Sequence, residues 1–325
     1  MDKKMDLNSK IELIKRNTIE IINEDIILDL LKKKKSPVIY CGYEPSGEIH
    51  LGHLVSMTKL LDLQKAGFKI KILFADWHAY LNQKGDWKFI ESESKKWEKG
   101  FKAFGLTEAE FVKGSEIQRN LNYIDDVFNL ALKNTISRGL RSMQTVARDI
   151  ENAKISQVIY PLMQIADFKY LKVDGALGGI EQRKIHMLAL ESLKDINYKQ
   201  PFLIHHKLIS SLKGPEHGKM SSSVKESMIS ISDSDKEIKD KLNKTYCPEG
   251  IVEENPVLEI FNLVIFPHYK KILFERPEKF GGNIEFQKYS DLENIFSEKK
   301  IHPLDLKNTC AKYLVEIIGK IRKNI

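Results

Sequence analysis

Val38-Ile39-Tyr40-Cys41-Gly42-Tyr43-Glu44-Pro45-Ser46-Gly47-Glu48-Ile49-His50-Leu51-Gly52-His53 is the stretch on which the reading of the fold turns. Its first six residues are apolar and partly β-branched, which predicts a buried strand, and Pro45-Ser46-Gly47 breaks it. From Leu51 to Ala66 the apolar spacing becomes helical, Gly67 closes the helix, and Ile70-Lys71-Ile72-Leu73-Phe74-Ala75 supplies the next strand. Strand, helix and strand on so short a connection make a βαβ unit, so the opening third is α/β. The turn at its centre suits a phosphate. Unpaired backbone N–H groups at a helix N-terminus attract anions, Gly52 admits a close approach, and His50 and His53, three apart, share one side of the helix.

Outward from this unit, the isoleucines and leucines from Lys10 to Leu31 fall at helical intervals, which predicts an amphipathic helix ending in the solvated run Lys32 to Lys35. Residues from about Glu108 to Arg148 read as mainly helical. The apolar segments Tyr170 to Val173 and Phe202 to His205 flank a helical stretch, Ile180 to Leu193, and extend a mostly parallel sheet. Lys213-Gly214-Pro215-Glu216-His217-Gly218 is a glycine-bearing loop, after which a new domain begins. Ser234 and Glu237 are spaced as a capping box for a helix through Asn243, and Leu306, Cys310, Leu314, Ile317 and Ile321 line one face of a last helix. The expected division is a Rossmann-like catalytic domain over 1–212 with a helical insertion near 108–158, a loop and linker over 213–232, and a helical domain over 233–325.

Composition narrows the class without naming it. The chain has 325 residues, 42% hydrophobic and 30% charged, which excludes a disordered chain. Lysine and arginine number 52 against 45 acids, a net charge of +7 that suits a polyanionic partner but equally a basic enzyme. Cys41, Cys247 and Cys310 are odd in number and far apart, so neither a disulfide framework nor a metal site is expected. Met1 to Lys10 is charged and lacks the apolar run of a secretory signal, so a cytoplasmic location away from membranes is expected.

A second cluster, Lys219-Met220-Ser221-Ser222-Ser223, follows the glycine-bearing loop, where an ammonium and hydroxyls can reach phosphate oxygens. With His50-Leu51-Gly52-His53 before it, the pair resembles the HIGH and KMSKS signatures of class I aminoacyl-tRNA synthetases. Within that class the chain is similar, nearly end to end, to the archaeal and eukaryotic tyrosyl-tRNA synthetases. The likeness is carried by Ala75-Asp76-Trp77-His78-Ala79-Tyr80, Tyr160-Pro161-Leu162-Met163-Gln164, Gly178-Gly179-Ile180-Glu181-Gln182-Arg183-Lys184-Ile185-His186-Met187, Arg276-Pro277-Glu278-Lys279-Phe280-Gly281-Gly282 and His302-Pro303-Leu304-Asp305-Leu306-Lys307. It departs at Val224-Lys225-Glu226, where many archaeal relatives look like Lys-Gly-Asn.

The resemblance implies a two-step reaction, in which tyrosine is activated with ATP and Mg2+ and then passed to the 3′ end of tRNA(Tyr). It implies that His50, His53, Lys219, Ser221 and Ser222 are catalytic. Gly42, Glu44, His50, Gly52, His53, Lys219, Met220, Ser221, Ser222 and Ser223 would contact ATP. Tyr40 and Asp167 would bind the tyrosine phenol, and Tyr160, Gln164 and Gln182 its ammonium. Arg141, Arg183 and Lys184 would meet the tRNA acceptor end, and Phe280, His302 and Asp305 the anticodon. A homodimer is implied as well. Taken one at a time, Tyr40 reads equally as a core tyrosine and Gln164 or Asp167 as helix-surface polar residues. Trp77, Trp87 and Trp97 read as packing residues. A tryptophan-specific synthetase, a non-catalytic RNA-binding relative and a small-molecule nucleotidylyltransferase remain as rival readings.

Overall fold

Six strands form one sheet: β1 (Thr18–Ile22), β2 (Val38–Tyr43), β3 (Lys69–Phe74), β4 (Glu110–Lys113), β5 (Gly175–Gly179) and β6 (Phe202–His206), in the order β1-β6-β5-β2-β3-β4. All pairings are parallel except β1 with β6. The computed structural model describes residues 5–33, 36–146, 152–218, 220 and 228–325. Helices connect the parallel strands, as their long crossovers require. Moving outward from β2, sequence order runs to β3 and β4 on one side and to β5 and β6 on the other. That reversal falls between β2 and β5, and the carboxyl ends of strands at such a point are the usual ligand position in open α/β sheets.

The chain divides into two compact units. The first comprises Met1–Ser46, Lys59–Glu98 and Leu106–Lys207 and holds the large sheet. Its core joins Leu162, Ile165, Phe168, Val173, Ala176 and Leu203, all buried. The second comprises Gly47–Thr58, Lys99–Gly105 and Leu208–Ile325, so the histidine turn packs with the later part of the chain. Its helices include Asp235–Lys244 and Pro303–Arg322, and it carries a hairpin of β7 (Ile272–Phe274) and β8 (Ile284–Phe286). Phe261 stacks on Phe274, and Phe296, Leu306, Cys310 and Leu314 are wholly buried.

Two expectations need correction, and a third, the mainly helical stretch from Glu108, holds with one added strand. The stretch Lys10 to Leu31 is not one helix but helix Leu7–Lys15, strand β1 and helix Glu24–Lys33. Asn17 and Asn23 take left-handed backbone conformations, φ 55° and 58°, that bracket the β-branched run Thr18-Ile19-Glu20-Ile21-Ile22, and pairing with β6 outweighs the helical spacing. Tyr170 to Val173 is the end of helix Ile155–Tyr170 and a turn; the strand is the glycine-rich Gly175–Gly179, which shows no β-branched signal. The stretch from Glu108 opens with β4, an edge strand of only four residues, before its helices Leu121–Lys133 and Ile136–Met143. By contrast β2 spans Val38–Tyr43, helix Leu51–Lys65 ends before Gly67 at φ 97°, and the capping box of Ser234 and Glu237 opens helix Asp235–Lys244, all as expected.

Candidate functional site

Tyr160, Gln164 and Asp167 stand four and three residues apart on helix Ile155–Tyr170 and therefore share one of its faces. Tyr40 comes from β2, where it meets Phe168 edge-on with ring centroids 5.1 Å apart. Gln182 follows β5 through a turn that depends on Gly178, because a Cβ there would come within 2.8 Å of the Gln182 side chain. The first unit thus holds all five residues expected to bind tyrosine, with Tyr40 within β2, Tyr160, Gln164 and Asp167 on one helix face and Gln182 just beyond β5.

The surroundings of Tyr40 and Asp167 are polar, buried and incompletely paired. Asp167 is fully buried. Its Oδ1 accepts from Gln118 Nε2 at 2.9 Å and from the Tyr123 hydroxyl at 2.9 Å, the latter also 2.8 Å from the Met163 carbonyl oxygen. Among the described residues, Asp167 Oδ2, the Tyr40 hydroxyl and His78 Nε2 have no hydrogen-bond partner. His78 Nε2 lies 3.8 Å from Asp167 Oδ2, too far for a hydrogen bond. Burial pushes the Asp167 carboxyl up to about 7, against the downward pull of Gln118 and Tyr123. Burial also drives His78 down to about 4, so the histidine is neutral and the two do not form an ion pair. Tyr40 is held far above the ordinary phenol range, first by burial and then by the charge of Asp167.

An unmet carboxylate oxygen beside an unmet hydroxyl suits a group that both donates and accepts, which a phenol does. At the other end, Tyr160 donates to Glu44 Oε1 at 2.8 Å, Asn82 donates to the same carboxylate, and Gln164 Nε2 donates to Gln182 Oε1 at 3.2 Å. Gln164 Oε1 has no partner among the described residues. Buried carboxylate and amide oxygens are acceptors, and an ammonium is a donor only. Glu44, expected at ATP, accepts these bonds from Tyr160 and Asn82. Gln118, Tyr123 and His78 were not singled out from the sequence: His78 lay inside a quoted stretch, whereas Gln118 and Tyr123 lay in a segment read only as helical.

In the second unit the histidine turn has a fixed geometry. The backbone N–H of Gly52 donates to His50 Nδ1 at 3.1 Å, and that of His50 donates to His53 Nδ1 at 3.1 Å. Both rings thereby accept at Nδ1, which assigns the Nε2–H tautomer to each. Their centroids are 3.9 Å apart. Burial lowers His50 to about 4, and burial followed by the neighbouring His50 lowers His53 well below its ordinary value, so both are neutral donors rather than cations. A Cβ on Gly52 would meet the His50 ring at 2.9 Å. Leu51 N donates to Ile229 O at 2.8 Å, Ile231 N donates to Ile49 O at 3.0 Å, and Ser230 Oγ donates to Glu48. The turn is therefore tied to residues just after the lysine–serine cluster. On the near side of that cluster, Met220 N donates to Ile209 O at 3.1 Å. Lys219, Ser221, Ser222 and Ser223 lie outside the described residues.

The remaining expected residues are spread over the surface. Gly42 is exposed in β2, and Arg141, Arg183 and Lys184 are exposed on helices Ile136–Met143 and Arg183–Ser192. Arg183 Nε donates to Glu20 Oε1 at 2.6 Å and Lys184 Nζ to Gln144 Oε1 at 2.5 Å. In the second unit Phe280 is exposed with Lys279 Nζ 4.9 Å from its ring centroid, His302 caps helix Pro303–Arg322, and Asp305 lies in that helix's first turn.

The family described as class I tRNA synthetases (W and Y) matches residues 32–319. The chain is 48% identical over 316 residues to the tyrosine–tRNA ligase of Methanosarcina mazei, covering 97% of this chain and 98% of that protein. It is 48% identical over 314 residues to that of Methanocaldococcus jannaschii, covering 97% and 99%. A crystal structure of tyrosyl-tRNA synthetase complexed with L-tyrosine from Archaeoglobus fulgidus matches with a TM-score of 0.95 and 46% identity, over 98% of this chain and 99% of that one. The tryptophanyl-tRNA synthetase of Aeropyrum pernix matches with a TM-score of 0.76 at 18% identity, which is a likeness of fold.

Proposed function

Because the chain belongs to the class I tRNA synthetases of the tryptophan and tyrosine family and is a tyrosine–tRNA ligase, we propose that Tyr40 and Asp167 grip the substrate phenol while Tyr160, Gln164 and Gln182 hold its ammonium. The observation that carries this reading is the pair of buried, unpartnered atoms, the Tyr40 hydroxyl and Asp167 Oδ2, which a phenol satisfies and a phenyl ring leaves unmet. Gln118 and Tyr123 position Asp167 by occupying its other oxygen. Glu44, paired with Tyr160, adds negative charge toward the ammonium.

ATP is the second substrate. The tyrosine carboxylate oxygen attacks the α-phosphorus, the bond to the bridging oxygen breaks, and pyrophosphate leaves with the electron pair. His50 and His53 donate Nε2–H hydrogen bonds to the phosphate oxygens as charge builds there, with Gly42, Gly52, Met220 and Ser223 in contact with the nucleotide. Lys219, Ser221 and Ser222 supply the ammonium and hydroxyls. In the second step a ribose hydroxyl at the tRNA 3′ end attacks the adenylate carbonyl and AMP departs. Arg141, Arg183 and Lys184 meet the acceptor end, and Phe280, His302 and Asp305 the anticodon. Magnesium would accompany ATP and offset charge on the departing pyrophosphate.

The functional division that fits these roles is catalysis over 1–212, the signature loop and linker over 213–232, and anticodon binding over 233–325. No helix among the described residues is long and apolar enough to cross a membrane, and work on tRNA fits the cytoplasm. We further propose a homodimer. Leu121 (78% exposed), Phe128 (63%) and Leu132 (82%) fall on one face of helix Leu121–Lys133 at spacings of seven and four, an apolar stripe that water disfavours.

Pyrophosphate exchange separates the roles. Asp167→Ala is expected to raise the KM for tyrosine by roughly tenfold or more, and Lys219→Ala to depress kcat with tyrosine binding nearly unchanged. Unaltered tyrosine kinetics in the first variant, or equal losses of kcat and tyrosine affinity in the second, would remove the respective assignment.

A further inference from the structure

Behind Arg183 stands a string of three side chains that neither the amino-acid pocket nor the nucleotide turn uses. His186 and His205 are both buried, their rings stacked at 5.1 Å between centroids, with His186 Nδ1 2.9 Å from His205 Nε2. His205 Nδ1 is 2.9 Å from Glu20 Oε1, the same oxygen that accepts from Arg183 Nε at 2.6 Å. The register of the sheet builds the string: Glu20 of β1 lies opposite His205 of β6, and Gly178 of β5 lies beside His205 on its other edge.

A carboxylate can only accept, so His205 must carry its proton on Nδ1 and point it at Glu20. His205 Nε2 is then an acceptor, and His186 must donate from Nδ1. Every hydrogen bond consequently runs one way, from His186 through His205 to Glu20, with Arg183 closing the string from outside. Burial keeps His186 down at about 3 and lowers His205 despite the opposing charge of Glu20, so the string stays neutral at its buried end near pH 7. The charges facing His205 are Glu20, Arg183 and Glu181. Engaging Nε leaves the four Nη–H donors of the guanidinium as a fork for a phosphate.

We infer that Glu20, held by His205 and His186, is a positioning residue for tRNA: it fixes Arg183 so that the acceptor end is received at a set place beside Gln182. The backbone supports this registration, since Arg183 follows Gln182 directly and Gly178 packs against both Gln182 and His186, where a Cβ would approach their side chains to 2.8 and 3.0 Å. A freely rotating arginine of the same charge would attract the tRNA but would have to order its side chain on binding. The inference rests on the proposed contact of Arg183 with the acceptor end.

The test uses the full-length enzyme, tRNA(Tyr), and the variants Glu20→Gln, Arg183→Ala and the double variant, each assayed for pyrophosphate exchange and for tRNA charging. Glu20→Gln keeps the shape but weakens the acceptor, and is expected to raise the KM for tRNA by roughly threefold to tenfold with exchange held within about twofold. The double variant should charge no worse than Arg183→Ala alone, because the carboxylate acts through the guanidinium. Additive losses, or an equal loss of exchange and charging in Glu20→Gln, would mean that Glu20 supports the fold rather than the tRNA contact. Normal charging by Glu20→Gln with impaired charging by Arg183→Ala would overturn the positioning role and leave the arginine contact standing. Normal charging by both would remove the contact itself and the inference with it.

Discussion

At Asp167 one oxygen is saturated by Gln118 and Tyr123 and the other has no partner among the described residues, an asymmetry that is costly in a buried group and fits the proposed recognition of a phenol. Its carboxyl sits at about 7, above the ordinary 3.8, so between those values the folded protein keeps a proton that the unfolded chain has released. The stability due to this group is therefore full below about pH 3.8 and is lost as pH rises to about 7. The buried histidines act in the opposite sense. His50 and His78, at about 4, contribute above the ordinary 6.5 and lose that contribution as pH falls through 4. Comparing thermal midpoints of the wild type with Asp167→Asn cancels the histidines. The wild type should lose ground to the variant steadily from pH 4 to pH 7, and parallel curves across that window would show that the carboxyl titrates normally.

The histidine turn is an element whose parts depend on one another. The Gly52 N–H orients His50, the His50 N–H orients His53, and the absent side chain at Gly52 leaves room for the first ring. Gly52→Ala would press a methyl onto the His50 imidazole at 2.9 Å and turn it from its place. Adenylate formation should slow by up to roughly 10²-fold, since misplacing a charge-stabilising donor by about an ångström has that effect, while the KM for tyrosine stays within about threefold. Stopped-flow or exchange measurements with each substrate varied would detect the split. An alanine variant with full activity would mean that the ring's position is not critical.

At the scale of the molecule, the exposed stripe of Leu121, Phe128 and Leu132 is the feature that a lone chain does not explain. Phe128→Glu combined with Leu132→Glu should convert a dimer to a monomer in sedimentation experiments, since two carboxylates on each copy would have to be buried together. A wild-type monomer would remove the proposed dimer, and a variant that remains dimeric would move the interface elsewhere. The two compact units also differ from a division at residue 212, because the histidine turn is grouped with the later chain through Ile229 and Ile231.

The sequence by itself determined the βαβ opening and the family, and it nominated the two clusters and the five side chains proposed for tyrosine, because each depends on neighbours within a few residues or on a spacing that recurs in a family. Strands β1, β4 and β5 escaped it. Isoleucines at helical intervals in β1, four residues in β4 and the glycines of β5 carry little local preference for a strand, and only pairing across the sheet made them strands. The same holds for function. Gln118 and Tyr123 reach Asp167 across 49 and 44 residues, and Glu20 reaches Arg183 across 163. No spacing along a chain encodes contacts of that range; the strand order creates them, and with it the orientation of every buried proton.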